Sequence, residues 1–356
     1  MGRSSILARI MIWYVYPMWH KVSFSLIAER HVNELRKYFR IYAIDELALS
    51  GLYPATNPLL ILHPFFYPMS KYAKRLQRLL ARIRGIIGID VADSDRISNL
   101  AVSMTHYAEA MIVPSTWARE SYVRSGVRVP VHVLPHGVDK EWFTSPMQLT
   151  IFRKLYEMKH QKKLIYLLHF CWHSPYRKGL DLVLKTYEIL RKERKDIVLI
   201  CKFMTPDGHP HRIIRQLGGI IVSGWLSEEQ KRELYDIADI YLLFTRGGGF
   251  ELNGLEALVR GNVVIAGNEG SWTDYLPSFS LVETRECPYV LKNNPIHSGK
   301  GREIVVEKAV DKICEIADNL DDYKARIREH VLKNIKGKYT WESVGRQLAE
   351  IIRRYL

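Results

Sequence analysis

The residues best able to do chemistry stand together in Gly247-Gly248-Gly249-Phe250-Glu251-Leu252-Asn253-Gly254-Leu255-Glu256-Ala257. Glycines leave backbone N–H groups open to a ligand, and the positive end of a following helix favours an anion. Glu256 falls in the first turn beyond the glycines, where a carboxylate can meet the same ligand. A phosphate on the turn with ribose hydroxyls on the carboxylate is the chemistry that this spacing allows. The alternative is a glycine-rich connector that binds nothing. Either way the stretch must be held between two elements. The apolar run Ile240-Tyr241-Leu242-Leu243-Phe244 before it reads as a buried strand, and residues 255–259 after it read as a helix.

This stretch resembles the nucleotide-sugar signature of the retaining GT-B glycosyltransferases of family four. That signature runs Glu-Gly-Phe-Gly-Leu, three residues, then Glu-Ala. Gly249, Phe250, Leu252, Leu255, Glu256 and Ala257 stand in register with it. Gly248 stands in place of the first glutamate, and Glu251 in place of the second glycine. The resemblance implies that Glu256 meets the ribose, and that a carboxylate meeting the donor sugar is missing at 248. Glu251 could supply it from a neighbouring position, if the backbone turn differs. Upstream, Lys178-Gly179 matches the family's Lys-Gly, whose lysine neutralises the donor diphosphate. The family's partner arginine lies a few residues earlier; His173 falls there, with Arg177 as the alternative.

The composition fits such an enzyme. The 356 residues suffice for two domains, and 47% hydrophobic with 25% charged residues is ordinary globular usage. Four scattered cysteines, Cys171, Cys201, Cys287 and Cys314, give neither a disulfide framework nor a zinc pattern, and fit a reducing cytoplasm. A formal net charge of +14 points to phosphate-bearing partners: nucleotides, nucleic acid or an anionic membrane. No basic–aromatic repeat or nucleic-acid module appears, so nucleic acid is not expected. Residues 6–15, with Arg3 and Arg9 nearby, read as a first strand rather than a signal peptide.

Strands are expected at 10–15, 39–44, 59–62, 86–89, 110–113 and 131–134, then at 164–168, 197–200, 220–222, 240–244 and 263–266, alternating with helices. After the first strand, His20, Lys21 and Ser23 are acceptor-side candidates, or a solvated loop. Residues 72–84 carry Lys74, Arg75, Arg78, Arg82 and Arg84 with no acid. Leu76, Leu79, Leu80 and Ile83 there share one helix face. This basic helix is either an ordinary surface helix or a dock for an anionic membrane at the inner face, bearing a lipid-linked acceptor. The fourth strand delivers Asp90, Asp93 and Asp95. Asp93 or Asp95 stands nearest to a histidine that meets the sugar in the family; Asp93 or Ser94 could equally cap the next helix.

The resemblance thus implies an α/β GT-B fold: two Rossmann-like, doubly wound parallel-sheet domains facing across a cleft. Residues 1–150 would form the acceptor-side domain and 151–335 the nucleotide-sugar domain. Residues 336–356 would form a helix packing back on the first. Lys178, Arg177 and His173, with the backbone around Gly249, Phe250, Leu252 and Asn253, would hold a nucleoside-diphosphate sugar, with Glu256 on the ribose. Asp93 and Glu251 are the candidate catalytic residues. The sugar would pass to a glycan, lipid-linked or small-molecule acceptor with retention of configuration. The donor is a substrate, so no cofactor is expected. No metal is expected either; Asp93-Ser94-Asp95 has a metal-binding spelling but belongs to the first domain. The alternatives are a catalytically altered binding or regulatory protein on the same fold and, ranked after it, a nucleic-acid-binding protein.

Overall fold

The computed structural model describes residues 11–356 apart from 55, 145 and 146. The start of the expected first strand, residues 6–10, lies outside the described residues. The chain forms two compact units. One gathers residues up to 137, Lys292–Gly299 and Lys338–Leu356; the other gathers Val138–Leu291 and Lys300–Gly337.

The first unit is built on a six-stranded sheet of order β2-β1-β3-β4-β5-β6. Its strands are β1 (Met11–Tyr16), β2 (Arg40–Asp45), β3 (Leu59–Leu62), β4 (Gly85–Ile89), β5 (Ala110–Val113) and β6 (Val131–Val133), all paired in parallel. The central strands are apolar on both faces, because helices cover both sides of a parallel sheet. Ile12, Tyr14 and Tyr16 face a core shared with the helices Ser23–Leu35 and Trp341–Arg353. Leu60, Leu62 and Val113 belong to the opposite core with Leu76, Ala101 and Tyr122. The terminal helix lies close against its neighbour: a Cβ at Gly345 would collide with Glu34. His20, Lys21 and Ser23 are exposed at the carboxyl end of β1.

Two local expectations shift. The basic helix begins at Phe66, kinks at Tyr72 and ends at Leu79, followed by a 3-10 turn at Leu80–Arg82. Leu76 and Leu79 are buried, but Leu80 points outward at 38% exposure, because the tighter turn breaks the 3.6-residue register. The helix after β4, Asn99–Thr105, is capped by Ser98, whose hydroxyl accepts from the Ala101 N–H, not by Asp93 or Ser94.

Two buried histidines, His31 and His63, lie in the first core, and the half-buried His136 lies beside Trp341 at its edge. The Tyr14 hydroxyl is 2.9 Å from His31 Nδ1 and 2.8 Å from His63 Nδ1. One hydroxyl donates only once, so one imidazole accepts at Nδ1 and the other donates. Burial pushes His31 and His136 down to about 3, and His63 also lies well below its ordinary value. The unfolded chain therefore binds more protons below about pH 6.5. Stability is complete above that pH and is lost as pH falls toward 3, by about 1.4 kcal/mol per pH unit for each histidine. Asp90, pushed up to about 6 by burial, takes up a native-state proton and offsets one of them. The melting temperature should accordingly fall between about pH 7 and pH 5; a flat profile would mean these imidazoles are not held neutral.

The second unit repeats the plan with order β12-β11-β10-β7-β8-β9. Its strands are β7 (Ile165–Cys171), β8 (Ile197–Phe203), β9 (Ile220–Ser223), β10 (Ile240–Leu243), β11 (Val263–Gly267) and the short β12 (Leu281–Val282). An antiparallel pair, β13 (Thr284–Cys287) and β14 (Gly301–Ile304), stands apart. Among the described residues no helix is long and apolar enough to cross a membrane.

Candidate functional site

The site is assembled where β10 gives way to the helix Leu252–Val259 and where β7 leads, through 174–179, to the helix Leu180–Glu193. These two crossovers lie side by side because β7 and β10 are paired neighbours. Their loops are stitched by the backbone: the Arg246 N–H donates to Arg177 O at 2.7 Å. The Thr245 hydroxyl is 3.0 Å from Arg177 O and 2.9 Å from Gly247 O. Buried Arg246 adds a two-pronged bond to Asp181 at 2.8 and 2.7 Å and another to Glu303 at 2.9 Å. Its guanidinium also stacks 3.9 Å from the Tyr176 ring centroid. Such a fork fixes geometry as well as charge.

Into this frame project Arg177, Lys178 and Glu251. Arg177 donates to Glu251 Oε1 at 2.9 Å and to Gly247 O at 3.1 Å. Lys178 Nζ is 2.5 Å from Glu251 Oε2. The carboxylate is 5% exposed, so the pair of cations and the anion interact in a largely dehydrated setting. Glu251 adopts φ 64°, ψ 68°, the left-handed region. This is a conformation that glycine adopts freely, and a glutamate holds it at a cost of about 1–2 kcal/mol. A Cβ at Gly248 would collide with Glu251 Oε1, so the Glu251 carboxylate fills the volume that a side chain at 248 would enter. Tyr275 steadies the turn by donating to Glu251 O at 2.8 Å.

Glu256 lies one helical turn further on, 3% exposed. It accepts from Lys231 Nζ at 2.7 Å and from the Tyr235 hydroxyl at 3.0 Å. Burial pushes its carboxyl up, while Lys231 and Tyr235 favour the ionised form. Lys231 and Tyr235 share one face of the helix Glu228–Ile237, which opens with the expected Ser227–Gln230 capping box. His169 sits beneath the cradle on β7. Its Nδ1 donates to Leu242 O at 2.9 Å, and its Nε2 is buried with no hydrogen-bond partner among the described residues. Burial is the main cause holding this imidazole near 4.

Of the sequence candidates, the structure brings together Arg177, Lys178 and Glu251 around the Gly249, Phe250, Leu252 and Asn253 turn. His173 is exposed, with Nδ1 3.0 Å from the Ser174 hydroxyl, so Arg177 is the one that joins the cradle. Asp93 belongs to the first unit and is half-buried; its N–H lies 3.4 Å from His297 Nδ1. Asp90, read as a loop carboxylate, is turned inward and accepts from the N–H groups of Phe66 and Val91, both at 2.8 Å. His169, Lys231, Tyr235 and Arg246 were not singled out in the sequence. A lone histidine in an apolar strand and an i, i+4 Lys–Tyr pair were the available signals.

Residues 161–278 match the family model of glycosyl transferases group 1. A protein of Sulfolobus islandicus rod-shaped virus 1, described as uncharacterized, is 33% identical over 355 residues, 97% of this chain and 98% of that one. "Putative glycosyltransferase 45" of Sulfolobus islandicus filamentous virus is 27% identical over 197 residues, 53% of this chain and 50% of the other. Among solved structures, Anabaena HepE in complex with UDP and glucose superposes with a TM-score of 0.72 at 13% identity, covering 97% of this chain and all of that one. Sucrose-phosphate synthase of Thermosynechococcus elongatus gives 0.69 at 12% identity over 97% of this chain and 99% of the other. At such identities the likeness speaks for the fold. This chain belongs to the family of the rod-shaped-virus protein, carries a glycosyl transferases group 1 domain in its second unit, and has the two-domain α/β GT-B fold.

Proposed function

We propose that the protein is a retaining glycosyltransferase that moves a sugar from a nucleoside-diphosphate sugar to an acceptor. The observation that carries this reading is the convergence of Arg177, Lys178 and the left-handed Glu251 on the glycine turn. Two cations beside the backbone N–H groups of a helix start suit a diphosphate. In transfer, the bond between the anomeric carbon and the diphosphate breaks, an acceptor oxygen bonds to that carbon and passes its proton to the departing diphosphate, and negative charge grows on the phosphate oxygens as the bond opens. Arg177 and Lys178, given up by Glu251, stabilise that charge where it develops. Glu256 holds the ribose, and the displaced Glu251 carboxylate accepts from hydroxyls of the donor sugar in place of the side chain missing at Gly248. The group 1 domain and the UDP and UDP-glucose bound by HepE support a nucleotide-sugar donor.

A panel of nucleotide sugars, followed by thermal shift and by release of free nucleotide, tests the donor. Absence of any shift and any turnover would reject the reading. Glu251→Gln separates the sugar contact from a merely structural role. It should weaken nucleotide-sugar binding and transfer, while the free nucleoside diphosphate binds as well as before or better, because a competing anion has gone. Equal losses for both ligands would place Glu251 against the phosphate or ribose instead.

A further inference from the structure

Two tryptophans stand half-exposed at the carboxyl edge of the second sheet. Trp172 follows β7 directly and is 47% exposed; Trp225 comes just after β9 and is 50% exposed. Their ring centroids are 5.2 Å apart at 90°, forming an open corner. The strand between them carries Lys202, which is buried and ties the corner down. Its Nζ donates to Phe203 O at 3.0 Å and also to Gly224 O, and lies 5.9 Å from the centre of the Trp172 ring. Lys202 thus fixes the carbonyl just before Trp225 against the strand that neighbours Trp172. Large apolar surface held rigid and left in water marks a binding site more readily than a packing accident.

We propose that this corner stacks the base of the donor nucleotide and selects purines. The proposal rests on the nucleotide-sugar reading above and adds to it which base the site takes. Three placements support it. The corner shares the strand edge of the cation cradle: Trp172 lies six residues before Lys178, on the same crossover. It spans β7 to β9, two strand spacings or about 10 Å, away from the side where β10 brings Glu251. The helix Glu228–Ile237 joins the Trp225 end of β9 to β10, and its Lys231 bonds Glu256, one helical turn beyond Glu251. Corner, carboxylate and cradle are thereby linked through one helix, as base, ribose and phosphate are linked in a nucleotide. Stacking grows with the overlapped ring surface, so two indoles at a right angle favour a bicyclic base over a single ring.

Calorimetry on the full chain with GDP, ADP, UDP, CDP and inorganic pyrophosphate tests this. The purine nucleotides should bind on the order of tenfold more tightly than the pyrimidine ones. Trp225→Ala should remove that difference and leave pyrophosphate affinity unchanged, and Trp225→Phe should restore part of it. Equal affinities for all four nucleotides, or a Trp225→Ala loss that falls on pyrophosphate as well, would overturn the purine corner while leaving the donor reading intact. Failure of every nucleotide and of pyrophosphate to bind would overturn both.

Discussion

Lys178→Ala should lower kcat/KM for sugar transfer by about 10²–10³-fold in a chain that remains folded. The size follows from where the ammonium acts. It sits beside a buried carboxylate and a buried guanidinium at a helix start, in a setting that screens charge far less than water does. A group placed there stabilises the departing diphosphate more than the intact donor, and only such differential interaction speeds the chemical step. The fold should survive because Glu251 keeps Arg177 as a partner. Lys178→Arg should recover part of the activity, since the charge returns on a longer, planar group. Steady-state kinetics on the donor found in the panel are the check. Transfer by the alanine variant at the native rate would remove Lys178 from the reaction.

Gly179→Ala should destabilise the second unit by at least about 2 kcal/mol and weaken nucleotide binding with it. Gly179 has φ +69° and is the residue from which the helix Leu180–Glu193 starts. Its added Cβ would land on the carbonyl oxygen of Phe244, which belongs to the backbone leaving β10 and cannot swing away. The two crossovers that form the site would have to separate, and Lys178 would move with them. Gly126→Ala is the matched comparison. Gly126 also has positive φ, +93°, but a Cβ there meets nothing within 4 Å. Both variants bear the left-handed strain; only Gly179 adds the collision. Denaturant midpoints that drop equally for the two would show that the approach to Phe244 does not matter.

Every parallel strand except the short β12 could be read from the chain, the central ones because they are covered on both faces and appear as unbroken apolar runs such as Leu59-Leu60-Ile61-Leu62. The turn around Gly249 and the Lys178-Gly179 pair were legible for another reason: their residue types answer to backbone constraints that act over a few positions. What was not legible depends on contacts distant in sequence. Nothing local says that Arg177, and not His173, meets Glu251 across 74 positions. Nothing in Lys231 announces that it will neutralise Glu256. The pair β13–β14 escaped notice because Thr284-Arg285-Glu286-Cys287 is mostly polar and has no hydrophobic alternation. Residues 292–299 carry no signal of their own in the sequence, yet the Ser98 N–H to Ile296 O bond of 2.8 Å binds them to the first unit.

The first unit draws on three separated pieces of chain, and the last of them, Lys338–Leu356, is synthesised after the whole of the second unit. When the ribosome has made residue 137, the sheet β2-β1-β3-β4-β5-β6 is complete in sequence, but Ile12, Ala28 and Val32 still lack Trp341, Val344 and Leu348. That apolar surface stays uncovered while some two hundred further residues emerge. The second unit needs nothing beyond Gly337, so it can close earlier although it begins later. The unit that begins first along this polypeptide is therefore the one whose residues are complete last. A nascent chain cut short before Trp341 would expose the face that the finished protein hides.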